Sequence, residues 1–217
     1  MKINESEFNR DCNKLLDITS YLVEKEAECP EYLFNVYKRY YESKRYSEAL
    51  EYLSQSLNKG FPISEFEMGQ HYYFGSAQLE LPKNHFNAFQ CYSIAADLGH
   101  AGAQFSLGYM YLKGEGVVSD VKQAILLLDN AANQGLNEAL DLLGKIYQHG
   151  YYEITPDFKK AERYYKFAVN QDYSPSIFHL ALLLENLHRY EEAYELFIHS
   201  AKMGVIEAIN YNMSTYK

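Results

Sequence analysis

Tryptophan is absent from this 217-residue chain, and cysteine occurs only three times, at Cys12, Cys29 and Cys91. The three cysteines make no CxxC pair or other metal-ligand spacing, and an odd count argues for reduced thiols rather than a disulfide framework. No apolar run approaches the ~18 residues that a membrane span requires. Glu5, Glu7, Asp11 and Asp17 interrupt the first thirty residues, which therefore lack the basic, apolar and small-residue order of a signal peptide. His71, His85, His100, His149, His179, His188 and His199 share no register and form no HExxH pair, and neither a phosphate-cradling glycine loop nor a Gly-x-Ser-x-Gly elbow occurs. These absences predict a cytoplasmic chain with no cofactor, no metal, no membrane segment and no catalytic centre.

What is present in quantity is repetition. Met68-Gly69, Leu107-Gly108, Leu143-Gly144 and Leu180-Ala181 follow one another at spacings of 39, 36 and 37 residues. Ala49, Ala88, Ala124, Ala161 and Ala193 form a second register, spaced 39, 36, 37 and 32. Gly60, Gly99, Gly135, Asp172 and Gly204 form a third with the same four spacings. Units of this length each leave an apolar face that only a neighbouring unit covers, which is the signature of a solenoid.

Each unit reads as two helices. In the unit from Ala103 to Gly135, an apolar-rich stretch through Phe105, Leu107, Tyr109 and Tyr111 ends at Leu112. Gly114-Glu115-Gly116 then breaks the helix, because glycine suits loop angles and weakens helix interiors. Asp120 is placed to cap the second helix, whose apolar face is Ala124, Leu127, Leu128, Ala131 and Ala132. Gly135 ends it as a left-handed cap. Gly108, Ala124 and Ala131 are predicted at the helix crossing, and the lack of period-two alternation excludes strands.

Ala103, Leu107, Gly108, Tyr111, Gly114, Gly116, Val117, Asp120, Ala124, Ala131, Ala132, Gly135 and Ala139 resemble the unit of the Sel-one-like repeat family, a relative of the tetratricopeptide repeat. The preceding unit keeps Gly69, Tyr72, Gly75, Ala88, Tyr92, Ala95 and Ala96 but has a longer loop, Ser76 to Asn84. The following unit keeps Leu143, Gly144, Tyr147, Gly150, Asp157, Ala161, Tyr165 and Ala168. The outer two units depart: their turns, Lys44-Arg45-Tyr46-Ser47-Glu48 and His188-Arg189-Tyr190-Glu191-Glu192, look like tetratricopeptide turns. The reading is an all-α, right-handed α-solenoid of about five helix-turn-helix repeats forming one domain. A capping helix is expected over residues 1–30, repeats over 31–63, 64–101, 102–138, 139–175 and 176–207, and a C-terminal cap over 208–217.

Charge and aromatic content bear on the partner. The chain carries 20 Lys and Arg against 29 Asp and Glu, and Phe61 to Asn137 has seven acids against three bases. Glu31 to Gly60 is read as the sole positive stretch. Clustered cations for phosphate contacts are missing, so no nucleic acid is expected. The acidic centre serves either solubility or the docking of a basic protein surface, with Glu65, Glu67 and Asp141 as the steering charges. Tyrosine is abundant at 22 residues; Tyr40, Tyr72, Tyr111 and Tyr147 share a register and are read as a stacked structural layer.

In the related tetratricopeptide array, three further positions of the first helix line the concave groove. The resemblance places Phe34, Lys38, Tyr41, Phe66, Gln70, Tyr73, Phe105, Tyr109, Leu112, Asp141, Lys145 and Phe178 there. Phe66, Tyr73, Phe105 and Tyr109 are expected to make one patch for a protein or peptide, since buried aromatics dominate interfaces. The alternative is that tight curvature buries these side chains between units. The resemblance implies a non-catalytic scaffold or adaptor, and the chain is expected to be a monomer; the alternatives are an immunity protein neutralising a cognate antibacterial toxin and an unrecognised enzyme.

Overall fold

The computed structural model describes residues 29–215, and the side chains up to residue 211. The capping helix expected over residues 1–30 lies almost wholly outside the described residues. Eleven α-helices follow in the described chain: α1 (Pro30–Glu42), α2 (Tyr46–Asn58), α3 (Pro62–Phe74), α4 (His85–Asp97), α5 (Ala101–Lys113), α6 (Val121–Asn133), α7 (Asn137–His149), α8 (Phe158–Val169), α9 (Ser174–Asn186), α10 (Tyr190–Lys202) and α11 (Ile206–Thr215). A short 3-10 turn, Tyr151–Glu153, precedes α8. Among the described residues there is no strand, only one isolated antiparallel bridge between Ser76 and Leu81 in the long α3–α4 loop. The architecture is all-α, of the helical-repeat solenoid class.

The chain divides into two compact units, one running to Ala95 and the other starting at Ala96. In the first, α1 packs on α2 and α2 on α3, and the core is Phe34, Tyr37, Ala49, Leu53 and Met68. In the second, each helix from α5 to α11 packs on the next, and α7 also meets α9. One of its apolar clusters gathers around Leu128, Ala131, Leu143 and Ile146, another around Tyr165, Leu180, Leu184 and Phe197.

Each sequence register has a distinct physical job. Ala49, Ala88, Ala124, Ala161 and Ala193 are at most 1% exposed, so nothing larger than a methyl group fits. Gly60, Gly99, Gly135 and Gly204 all have φ between 72° and 87°, and Asp172 shares the left-handed region at 55°. The chain reverses at this position in every unit, which explains a glycine there and an aspartate as its tolerated substitute. Gly69, Gly108 and Gly144 sit where the first helix of a pair meets the second: Tyr92, Leu128 and Tyr165 respectively occupy the space a side chain would need.

The loop inside each pair is closed by one shared hydrogen bond. The residue three past the glycine register offers its carbonyl to the N–H of the residue that starts the second helix. These bonds run from Arg45 to Tyr40, Asn84 to Tyr72, Asp120 to Tyr111, Asp157 to Tyr147 and Arg189 to Leu184, at 2.7–3.2 Å. Two capping chemistries then diverge. Asn84, Asp120 and Asp157 cap by accepting from Asn87, Gln123 and Lys160 N–H groups, each at 3.0 Å. In the short-turn pairs the starting residue is Arg45 or Arg189, which instead donates to Glu48 or Glu192 one turn on. Those turns place Lys44 and His188 at φ 61°. The tyrosine register is only half-buried; Tyr40 stacks on Tyr52 and Tyr147 on Tyr164, at 5.2 and 5.8 Å.

Candidate partner-binding faces on the first helices

In the first unit, Tyr37 in α1 takes the glycine register and is almost fully buried. Its hydroxyl donates to the Glu67 carboxylate at 3.0 Å and lies 2.8 Å from His71 Nε2. With the phenol hydrogen committed to Glu67, Nε2–H of His71 donates to the phenol oxygen, which fixes the histidine tautomer. Burial, reinforced by the Glu67 charge, raises the Tyr37 phenol well above its usual range. Burial also lowers the His71 pKa, with Glu67 opposing. Tyr41 covers this network, its ring 5.7 Å from that of His71 and 5.8 Å from that of Tyr37.

The remaining first-unit positions differ in exposure. Phe34 is 3% exposed and packs on Phe61 as core; this corrects its placement on an accessible face. Lys38 is exposed, with its ammonium 4.9 Å from the Phe34 ring. Phe66 leans on buried Tyr92 at 5.7 Å, and Gln70 is half-buried. Tyr73 stacks on His85 at 5.0 Å, with Lys83 5.9 Å from its ring.

In the second unit, Asp141 of α7 joins three groups. Its Oδ1 accepts from Ser176 Oγ and pairs with His179 Nδ1, both at 2.7 Å, and its Oδ2 meets Lys145 Nζ at 2.8 Å. Burial pushes the carboxyl pKa up, but hydrogen bonds from His179, Lys145 and Ser176 outweigh it and hold the group below its ordinary value. The cluster ties α7 to α9. Asp141 is 6% exposed, so it is a structural ion and not a steering charge, a second correction. Leu112 is a third: at 4% exposure it belongs to the core.

Phe105 packs partly against the same core, and Phe178 lies against Phe197 and Tyr211. Tyr109 is half-buried with Lys113 5.6 Å from its ring, and Lys145 is half-exposed. Phe66 and Tyr73 thus belong to the first unit, and Phe105 and Tyr109 to the second. Lysines stand over Phe34, Tyr73 and Tyr109, so these aromatic positions carry local positive charge within an acidic chain.

Sequence reasoning missed His179, because the histidines share no register. A signal existed: Asp141 stands where Phe34, Phe66, Phe105 and Phe178 recur, and an acid in an aromatic register needs a partner. It also missed the cations of α8, Lys159, Lys160, Arg163 and Lys166, so Glu31 to Gly60 is not the sole positive stretch. Among the described residues, no group of three or more His, Cys, Asp and Glu is placed to hold a metal, and no helix is long and apolar enough to cross a membrane.

The Sel1 repeat matches three consecutive segments, residues 62–100, 101–136 and 137–173, which together exceed half of the chain. The chain belongs to the Sel1 repeat family. Chitin synthase regulatory factor 2 of Schizosaccharomyces pombe is 25% identical over 185 residues, covering 78% of this chain and 36% of that protein. The chain therefore spans about a third of this curated relative's length. A Sel1 repeat protein from Oxalobacter formigenes superposes with a TM-score of 0.76 at 23% identity, over 88% of this chain and 77% of the other. The immunity protein Pa5087 from Pseudomonas aeruginosa is a more distant structural neighbour, with a TM-score of 0.51 at 20% identity over 79% and 67%. Both structural likenesses show the fold alone. Sel1 repeats generally act as interaction scaffolds that bind protein partners, and residues 62–173 of this chain carry three of them.

Proposed function

We propose that this Sel1 repeat chain is a non-catalytic scaffold or adaptor that holds a protein or peptide against the exposed sides of its first helices. One observation carries the reading: half-buried aromatic and polar side chains recur at fixed offsets on those helices. Tyr41, Gln70 and Tyr73 supply them in the first unit, Tyr109 and Lys145 in the second. Aromatic rings with a wet edge and an anchored base are what protein partners bury. Repeat arrays of this kind offer such surfaces without requiring a pocket.

The acidic steering proposed from composition is weaker. Glu67 is engaged by Tyr37, and Asp141 is committed to Ser176, His179 and Lys145. A partner with a mixed rather than strongly basic surface fits these positions better. Neutralisation of one cognate toxin is the narrower form of the proposal, and its support is the fold shared with an immunity protein.

The test is a photo-crosslinking benzoylphenylalanine placed at Gln70 or Tyr109, followed by capture and mass spectrometry of the adduct. Leu126, exposed on the second helix α6, is the control position. Adducts from the first-helix positions are expected, and Tyr109→Ala should weaken the captured partner by about tenfold or more. Adducts arising only from Leu126 would overturn the placement. One stoichiometric toxin among the adducts selects the immunity role over the scaffold.

A further inference from the structure

The surface of α8 runs against the charge of the chain as a whole. The formal net charge is −9, yet α8 displays exposed Lys159, Lys160, Arg163 and Lys166 within two turns. The single acid among them, Glu162, is already neutralised: Lys166 Nζ lies 2.7 Å and Arg189 2.9 Å from its Oε1. Arg189 is in turn held by Glu192 at 2.6 Å. Lys159, Lys160 and Arg163 make no ion pair among the described residues. Lys160 instead stands 4.8 Å from the Tyr147 ring and Arg163 6.0 Å from the Tyr164 ring.

Apolar surface accompanies these cations. Phe158 is 46% and Phe167 53% exposed, although both belong to a helix with a well-filled inner face. Beside Phe158, an open hollow of about 880 Å³ is lined by Tyr147, Ile154, Pro156 and Leu187, with Asp157, Lys159, Lys160 and the already paired Glu162 among its polar residues. The loop forming its wall contains Tyr152 and Glu153 at φ 58° and 62°. A second, smaller hollow of about 340 Å³ lies among Lys159, Arg163, Lys166 and Phe167. Three unpaired cations next to two exposed phenylalanines and an apolar hollow is an arrangement that solubility does not require.

We propose that the outer side of α8 is a docking site for an acidic protein segment that carries an apolar side chain. Its carboxylates meet Lys159, Lys160 and Arg163, and its apolar side chain enters the hollow beside Phe158. Charge complementarity selects the occupant: the patch attracts anions, and its apolar half suits a peptide rather than a phosphate backbone. The overall negative charge further opposes a nucleic acid, whose affinity rests on many phosphate contacts. The site lies on the second helix of its pair, so it stands independently of the first-helix faces described above.

Fluorescence anisotropy of the full chain at low salt provides the test. The probe is a labelled octapeptide of sequence Glu-Glu-Phe-Glu-Glu-Phe-Glu-Glu, compared with its Lys-for-Glu counterpart and with a labelled oligothymidylate. Saturable binding of the acidic peptide alone is expected, weakening as salt is added. The combined variant Lys159→Glu, Lys160→Glu, Arg163→Glu should lower affinity roughly tenfold or more, from three exposed charge pairs. Phe158→Ser should lower it with the cations intact. Should the triple reversal lose helical circular dichroism, Lys160→Ala with Arg163→Ala gives the neutral version of the same comparison. Equal affinity in wild type and either charge variant would overturn the proposal. So would preference for the basic peptide or for the oligonucleotide, or no binding of the acidic probe.

Discussion

Gly144 lies directly under the ring of Tyr165. A Cβ at Gly144 would stand 2.3 Å from Tyr165 Cε1 and 2.6 Å from Cδ1. The ring has no route of escape, since Tyr165 is fully buried and its hydroxyl donates to Gln148 at 2.8 Å. Gly69 stands in the same relation to Tyr92, at 2.5 Å, whereas Gly108 faces the more yielding Leu128 at 3.0 Å. Gly144→Ala should therefore cost about 1–3 kcal/mol through overpacking, despite the better helix propensity of alanine. Gly108→Ala should cost less, because its nearest neighbours, Leu128 at 3.0 Å and the Ala124 carbonyl at 3.2 Å, need to give way by only a few tenths of an ångström. Thermal unfolding of the three alanine variants checks the order; equal midpoints for Gly144→Ala and wild type would mean the helices separate freely.

Backbone strain can be isolated at the ends of the units. Gly99 has φ 86°, and a Cβ there would meet nothing within 4 Å. Gly99→Ala should destabilise by about 1 kcal/mol purely from the left-handed backbone. Asp172 occupies the equivalent position at φ 55°, so Asp172→Gly should be neutral or stabilising by up to about 0.5 kcal/mol, partly offset by the looser unfolded chain. Urea titration decides it. The same sign for both substitutions would show that the shared register is not a shared conformation.

Acidification should weaken the protein through its buried histidines. Burial lowers the pKa of both His71 and His100. Neutral Nδ1 of His100 also accepts the N-cap bond from the Ala103 N–H at 3.1 Å, which protonation removes. Both folded values lie below the unfolded one, so the unfolded chain binds the proton first. The stabilisation is complete above about pH 6.5 and declines as pH falls through the folded values. A lower urea midpoint at pH 5.5 than at pH 7.5 is expected. His100→Asn, which retains a capping acceptor, should remove part of that difference. A midpoint unchanged between the two pH values would contradict the assignment.

The Asp141 cluster acts in a more acidic window. Its depressed carboxyl contributes stability above the ordinary Asp value and loses it as pH falls through the folded value. Asp141→Ala strands Ser176 and leaves Lys145 and His179 without their anion, for a cost of about 3 kcal/mol. Asp141→Lys should fail to fold, which removes it as a probe of electrostatic steering. Circular dichroism and denaturant midpoints of Asp141→Ala, with Ser176→Ala as the milder comparison, provide the measurement. A loss below about 1 kcal/mol would mean that water replaces the carboxylate.

What was legible in the sequence was local or periodic. Asp120 and Asp157 cap helices because an aspartate reaches an N–H only three residues away, a relation that spacing alone expresses. Gly60, Gly99, Gly135 and Gly204 were visible because one backbone conformation demands one residue type at every turn. The alanine register was readable for the same reason, since a crossing excludes everything larger. The candidate surfaces were not. Asp141 meets Ser176 and His179 across 35 and 38 residues, and Tyr37 meets Glu67 and His71 across 30 and 34. Phe34 and Phe66 occupy equivalent positions, yet the first is core and the second is half-buried. Offsets along a helix set the direction of a side chain. Whether that direction meets protein, an opposite charge or water depends on which neighbouring helix is brought against it, and packing alone decides that.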